Sequence, residues 1–257
     1  MGHADRKAAN LGHSHLTDVR CFAQHVVHFD PLTEVPPADA IPAVRRAKPY
    51  IYSDAEIEAL LEAALTLPPA NGLRRWTYHC LFGLIAVAGL RHSEALNLCR
   101  DDVDLTQGVL TIRQSKFGKS RLVPLHATTI AVLRGYSERR DAHLASPRSP
   151  YFFVAEQGGR LLHQYVHRVF WRLSRQIGLR QKGQRNGPRV HDLRHRFAVM
   201  TLLRWYRAGQ DIEQQLPVLS TFLGHVGVRD TYWYLSATPE LMSHAARRLD
   251  RRWETRS

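Results

Sequence analysis

Cysteine is scarce in this 257-residue chain: Cys21, Cys80 and Cys99 are odd in number and none stands in a close pair. That excludes a disulfide scaffold and the paired-thiol motifs of zinc or redox sites, and it is the usage of a reduced, cytoplasmic protein. Long apolar runs are missing as well. The longest, "CLFGLIAVAGL" from Cys80 to Leu90, falls far short of the ~20 residues that cross a bilayer, and the polar N-terminus is unlike a secretion signal, so no membrane partner is expected. Acidic residues are few against basic ones, 23 to 36, which leaves a net charge of +13 with histidines neutral. Such an excess invites a polyanionic partner, DNA or RNA.

Residues 1–20 read as a loose, polar, His-rich end, and "VRCFAQHVVHFD" then repeats apolar residues at helical spacing, which predicts one helix. Five prolines in "PLTEVPPADAIPAVRRAKP" have the composition of a linker and set a boundary near residue 48. Two parts follow: an N-terminal segment and linker over 1–47, and a main domain over 48–257. In the main domain, Ser53 three residues ahead of Glu56 predicts a capping box, and "RRWTYHCLFGLIAVAGL" predicts a buried helix that Gly89 terminates. "GVLTIRQ" and "RLVPL" read as two strands around a lysine-bearing hairpin tip, "SKFGKS". From Ala127 onward the pattern is helical, broken by the basic loop "RQKGQRNGP". The fold class is α+β, mainly α-helical, with a small antiparallel sheet.

"RVHDLRHRFA", residues 189–198, sets two histidines four apart with an acid after the first, close to the H-E-x-x-H pattern of zinc hydrolases. If a helix begins after Pro188, His191, Arg194 and His195 share one face near its N-terminus. That face suits a dication poorly, because Arg194 brings a permanent positive charge and the acid is Asp192 rather than Glu. It suits a phosphate well: a guanidinium fork, an imidazole and a helix N-terminus all favour an anion.

Three other stretches supply matching chemistry. "AGLRHSEAL" sets Arg91 after the Gly-terminated helix, with Glu94 one turn on and able to orient it; "QSKFGKSR" offers Lys116 and Lys119 on the hairpin tip; and "LSTFLGHVGVRDTYWYLS" carries His225 after a helix-ending Gly224, then Tyr232 and Tyr234. "GKS" at 118–120 is no phosphate loop, since Arg113 stands where the first glycine belongs and a strand follows. The acids of "RDDVDL" read as a strand-entry turn rather than a metal cluster.

Taken in order, the arginine of "GLRHSE", the hairpin lysine before "RLVPL", the "HDLRH" box, and "LGH" with a tyrosine nine residues on resemble the tyrosine recombinase (phage integrase) family over residues 50–250. The resemblance implies catalytic roles for Arg91, Lys116, His191, Arg194, His225 and Tyr234, with Glu94 in support. Tyr234, nine residues past His225, is selected over Tyr232 as the nucleophile. It also implies a site-specific recombinase or integrase that cuts and rejoins double-stranded DNA through a 3′-phosphotyrosine. Because one phosphoester is exchanged for another, neither cofactor nor metal is expected. Arg91 and Arg194 would clamp the phosphoryl oxygens with His225, His191 would assist deprotonation of the phenol, and Lys116 would protonate the leaving 5′ oxygen. Lys119, with Arg180, Lys182, Arg185 and Arg189 of the basic loop, is assigned to DNA binding.

The family's enzymes act as tetramers on two DNA sites, which makes a homo-oligomer, or a hetero-oligomer with another recombinase, the expected partner. Consistent with that, "PELMSHAARRLDRRW" predicts an amphipathic helix with Leu241, Met242, Ala245, Leu249 and Trp253 on one stripe. The family also carries an N-terminal helical domain of about a hundred residues, a common domain size. Residues 1–47 cover only its last helix and linker, and are expected to be a remnant of a truncated core-binding domain. Arg196 stands where the family often has a small hydroxyl residue. Two other readings stay open: a type IB topoisomerase, and a catalytically silent or partner-dependent DNA-binding remnant of a mobile element.

Overall fold

Ser53 and Glu56 exchange the hydrogen bonds of a capping box: the Glu56 N–H donates to Ser53 Oγ at 3.2 Å and the Ser53 N–H to Glu56 Oε2 at 2.7 Å. They open helix α2 (Asp54–Leu65), the first element of the main body. The computed structural model describes residues 3–40, 49–114, 118–144, 149–181, 183–184, 187–236, 239–243 and 246, the side chains of 3–14 and 236 excepted. It divides into two units, Met1–Lys48 and Pro49–Ser257.

In the first unit, α1 runs from His3 to Val26. The expected loose end is therefore helical from its third residue. Ala4, Arg6, Lys7, Ala8, Ala9 and Leu11 are all strong helix formers, and no proline stands before Pro31. Apolar periodicity does not detect such a helix, because it reports packing and not propensity. After α1, Asp30 closes a turn by accepting the Leu32 N–H at 3.1 Å.

In the second unit, α3 (Arg74–Ala88) is the central element, contacting both α2 and the later helix α7 (Val190–Arg207). Three antiparallel strands, β1 (Val103–Asp104), β2 (Val109–Ile112) and β3 (Arg121–Pro124), form the sheet in sequence order. Leu110 pairs with Val123, which buries both on the face toward the core, and Ile112 pairs with Arg121. The acids of the strand-entry turn do what turn acids do. Asp104 Oδ1 accepts the N–H groups of Thr106 and Gln107 at 2.9 and 2.8 Å, and the buried Asp102 accepts the Cys99 N–H at 3.0 Å.

Helices α5 (Ala127–Leu144), α6 (His163–Gln176), α7 (Val190–Arg207) and α8 (Ile212–Leu223) follow. A single turn, α9 (Arg229–Tyr232), runs into a 3₁₀ turn over Trp233–Ser236. The fold is thus mainly helical with one small sheet. One core gathers around α3, the sheet and α6; a second joins the later turns of α7 to α8, Tyr234 and Leu241. Of the expected C-terminal stripe, Leu241 is buried and Met242 is exposed, while Ala245, Leu249 and Trp253 lie outside the described residues. No helix among the described residues is long and apolar enough to cross a membrane.

Candidate active site

Gly89 ends α3 in the left-handed region at φ 59°, where its N–H still reaches the Ile85 carbonyl. The chain turns there and delivers Arg91 to the N-cap of α4 (His92–Asn97), with Glu94 at the third helical position. The Arg91 N–H donates to Glu94 Oε2 at 2.9 Å, and its guanidinium Nη1 donates to Oε1 at 2.7 Å. Arg121, at the start of β3, donates to the two oxygens of the same carboxylate at 2.9 and 2.8 Å. Arg194 Nη1 lies 4.0 Å from it. Burial alone would raise the Glu94 pKa; hydrogen bonds and charge from Arg121 and Arg91 overcome that and hold it at about 2.

The other side of this cluster is the end of α8. A helix leaves its last carbonyls without intrahelical partners and carries partial negative charge there. Three successive carbonyls each take one arginine: Phe222 O accepts Arg121 Nε, Leu223 O accepts Arg194 Nη2, and Gly224 O accepts Arg91 Nη2, all at 2.7 Å. Arg194, 1 % exposed, also donates to the Gly89 carbonyl at 2.7 Å. Burial, then the charge of Arg91, lowers its pKa to about 10. Three guanidinia thus face a single carboxylate and neutral carbonyls. The excess positive charge at one place is the arrangement that binds an anion.

Tyr234 is buried, 3 % exposed, whereas Tyr232 is 52 % exposed. The spacing that singled out Tyr234 therefore selects the tyrosine turned into the protein. Its hydroxyl shares a 3.1 Å hydrogen bond with His195 Nδ1. The expected partner of the phenol was His191. Instead His191 meets His195 edge-on, with ring centroids 4.5 Å apart, because residues four apart on α7 are neighbours and His195 is the one that packs against Trp233 and Tyr234 of the 3₁₀ turn. His225 lies nearly parallel to the Tyr234 ring, 13° between planes and 6.1 Å between centroids, and its Nδ1 is 2.8 Å from the Thr231 hydroxyl. Burial, followed by the charge of Arg194, lowers both His191 and His225 to about 4, so both rings are neutral at pH 7.

Arg91, Glu94, His191, Arg194, His225 and Tyr234 are thus gathered in one neighbourhood. Arg121 and His195 belong to it as well, although neither was singled out as a site residue. His195 stood in the quoted box, and Arg121 began a predicted strand; nothing in the sequence marked Arg121 as a partner of Glu94, because the burial of that carboxylate is set by the fold. The described residues assigned to DNA binding stand apart from this cluster's hydrogen bonds, and Arg180 reaches the residue before Arg189. Lys119 is exposed. Arg180 donates to the Pro188 carbonyl at 2.6 Å, and Arg189 caps α7 by pairing with the buried Asp192 at 2.9 Å. Lys116, Lys182 and Arg185 lie outside the described residues. Arg196 neither crowds its helix nor points at this cluster: it donates to the Tyr52 carbonyl at 2.9 Å and pairs with Asp54.

Comparison with known proteins gives the same direction. Residues 52–240 match the Phage integrase family. The chain is 55 % identical over 244 residues to a Sinorhizobium fredii protein named integrase/recombinase y4rB, covering 93 % of this chain and 78 % of that one. It is 33 % identical over 206 residues to the tyrosine recombinase XerA of Thermococcus kodakarensis, covering 79 % and 64 % of the two. In structure it resembles a lambda integrase dimer bound to a COC′ core site, with a TM-score of 0.66 at 18 % identity over 93 % of this chain and 77 % of that one. With the family model matching most of its length, the chain belongs to the phage integrase family, the tyrosine recombinases.

Proposed function

We propose that this protein is a site-specific DNA recombinase in which Tyr234 attacks the scissile phosphodiester and is held as a 3′-phosphotyrosine until a second strand displaces it. The observation that carries the assignment is the convergence of Arg91, Arg121 and Arg194 on the end of α8, beside the buried Tyr234 hydroxyl.

In the forward step the phenolic oxygen forms a bond to phosphorus and the bond from phosphorus to the 5′ oxygen breaks. The phenol proton passes to His195, whose Nδ1 already lies 3.1 Å from the hydroxyl, with the neutral His191 ring edge-on behind it. Arg91 and Arg194 hold the phosphoryl oxygens as negative charge grows on them, a stabilisation worth several kcal/mol in such a site; Arg121 keeps Glu94 and the α8 end in register with both. His225 adds a neutral donor to that clamp. Lys116 gives its proton to the departing 5′ oxygen. The reverse step rejoins strands with no net loss of phosphoester bonds.

Residues 48–257 are the catalytic domain in this reading, and the helical segment within 1–47 adds to the DNA grip. The enzyme acts in the cytoplasm on DNA of a mobile element as a tetramer on two sites, alone or with a related recombinase. Solved relatives described as a dimer on a core site and a tetramer on a Holliday junction support an oligomer on DNA.

The test is a denaturing gel that detects a covalent protein–DNA adduct on nicked substrates drawn from the DNA flanking the gene. An adduct formed by the native chain and by Tyr232→Phe, but not by Tyr234→Phe, is the expected result. Loss of the adduct in Tyr232→Phe with retention in Tyr234→Phe would transfer the nucleophile to the exposed tyrosine. No adduct at all, even with a related recombinase supplied, while salt-sensitive DNA binding persists, would leave a DNA-binding protein without strand transfer.

A further inference from the structure

Beside the arginine cluster, at the turn that carries Arg91, three histidines from two elements come together. His163 and His167 stand four apart on α6, and His92, the residue after Arg91, opens α4. The ring centroids of His92 and His163, and of His163 and His167, are 4.3 Å apart, and those of His92 and His167 are 5.4 Å apart. One ligand nitrogen from each ring lies within 4.8 Å of the others. His163 Nε2 and His167 Nε2 are 3.2 Å apart, and His92 Nε2 is buried with no hydrogen-bond partner among the described residues. Three imidazoles with their nitrogens turned together, one of them buried and unsatisfied, are hard to account for as packing, since a buried ring nitrogen without a partner costs free energy.

We propose that His92, His163 and His167 bind a divalent transition-metal ion of the zinc class, clipping α6 to the turn that carries Arg91. Tetrahedral zinc with nitrogen ligands at 2.0–2.1 Å sets neighbouring nitrogens about 3.3 Å apart, the spacing the α6 pair already has. Adjustment of the His92 side chain completes the third ligand. Zinc takes imidazole readily, and three protein ligands leave a fourth position for water. The exposed His163 gives the ion its way in from solvent. The N-terminal end of α6 carries partial positive charge, which opposes a dication and tempers the affinity. The assignment is independent of the strand-transfer chemistry, which uses none of these three rings.

The full chain, stripped of metal by chelation and dialysis, is titrated with Zn²⁺ by calorimetry and with Co²⁺ by visible absorption. Expected are one equivalent of Zn²⁺ bound, the d–d bands of tetrahedral cobalt, and a rise in Tm of about 5 °C or more at metal a hundredfold over Kd. His163→Ala and His167→Ala replace partly or fully exposed rings and leave the fold intact by circular dichroism. Each weakens Zn²⁺ binding at least tenfold, and together they abolish the Tm rise. His13→Gln with His15→Gln, in the N-terminal segment, leaves the titration unchanged. Absence of stoichiometric binding by the native chain overturns the proposal. So does equal binding by the His163→Ala/His167→Ala protein, which would put the ion on other histidines.

Discussion

Glu94 brings one negative charge into hydrogen bonding with two guanidinia while a third stands 4.0 Å off. Its value lies less in the attraction than in what its removal would leave behind, two buried or half-buried cations without a counter-charge. Glu94→Gln keeps the shape and loses the charge; unfolding free energy is expected to fall by about 3–5 kcal/mol, measured by urea denaturation, with adduct formation falling in parallel. Arg121 is the partner that could not be read from the chain. Its sequence neighbours place it on a strand, and only the hairpin's return across α4 turns its fork to Glu94. Arg91, by contrast, could be paired with Glu94 from spacing alone, because residues three apart on one helix turn always meet. For the same reason the choice between His191 and His195 was open: both lie on one face of α7, and contact with Tyr234 depends on where the 3₁₀ turn after α9 docks.

At the scale of elements, the site hangs on two helix ends. Gly89 and Gly224 both cap their helices in the left-handed region, at φ 59° and 67°, and their carbonyls accept from Arg194 and Arg91 respectively. At Gly89 a Cβ would lie 2.4 Å from Phe197 Cδ1. Gly89→Ala is therefore expected to cost about 1–3 kcal/mol from backbone strain and the displaced ring, with a larger loss of adduct formation than an equally destabilising core change far from Arg91. Caps and glycine terminators are local devices, so both helix ends and the capping box at Ser53 were legible in the sequence. The start of α1 was not, because an exposed helix can rest on propensity alone.

For the whole molecule, acid is the informative stress. His225 titrates at about 4 in the folded chain against 6.5 for a free imidazole, and His191 does the same. Between those values the unfolded chain takes up protons that the folded chain refuses, so stability is full above pH 6.5 and declines as pH falls toward 4. Glu94, held at about 2 against 4.5, contributes its own loss only at more acid pH. Tm measured from pH 7.5 to 5 should fall, and His225→Gln should flatten that slope; an unchanged slope would mean that His225 is not the half-buried neutral ring described above.

Composition and motif order determined much of this protein. The positive charge asked for a polyanion, four short boxes in sequence pointed to one family, and helical and strand periods laid out a mainly helical domain with one hairpin. Those features are local or additive, so a linear chain displays them. Tertiary structure decided what no spacing encodes: three arginines from α4, β3 and α7 sharing the carbonyls of α8, the phenol resting on His195, and three histidines from α4 and α6 meeting ring to ring. Each of these joins residues far apart in sequence, and such contacts exist only once the packing of α3 and α7 has brought their elements together.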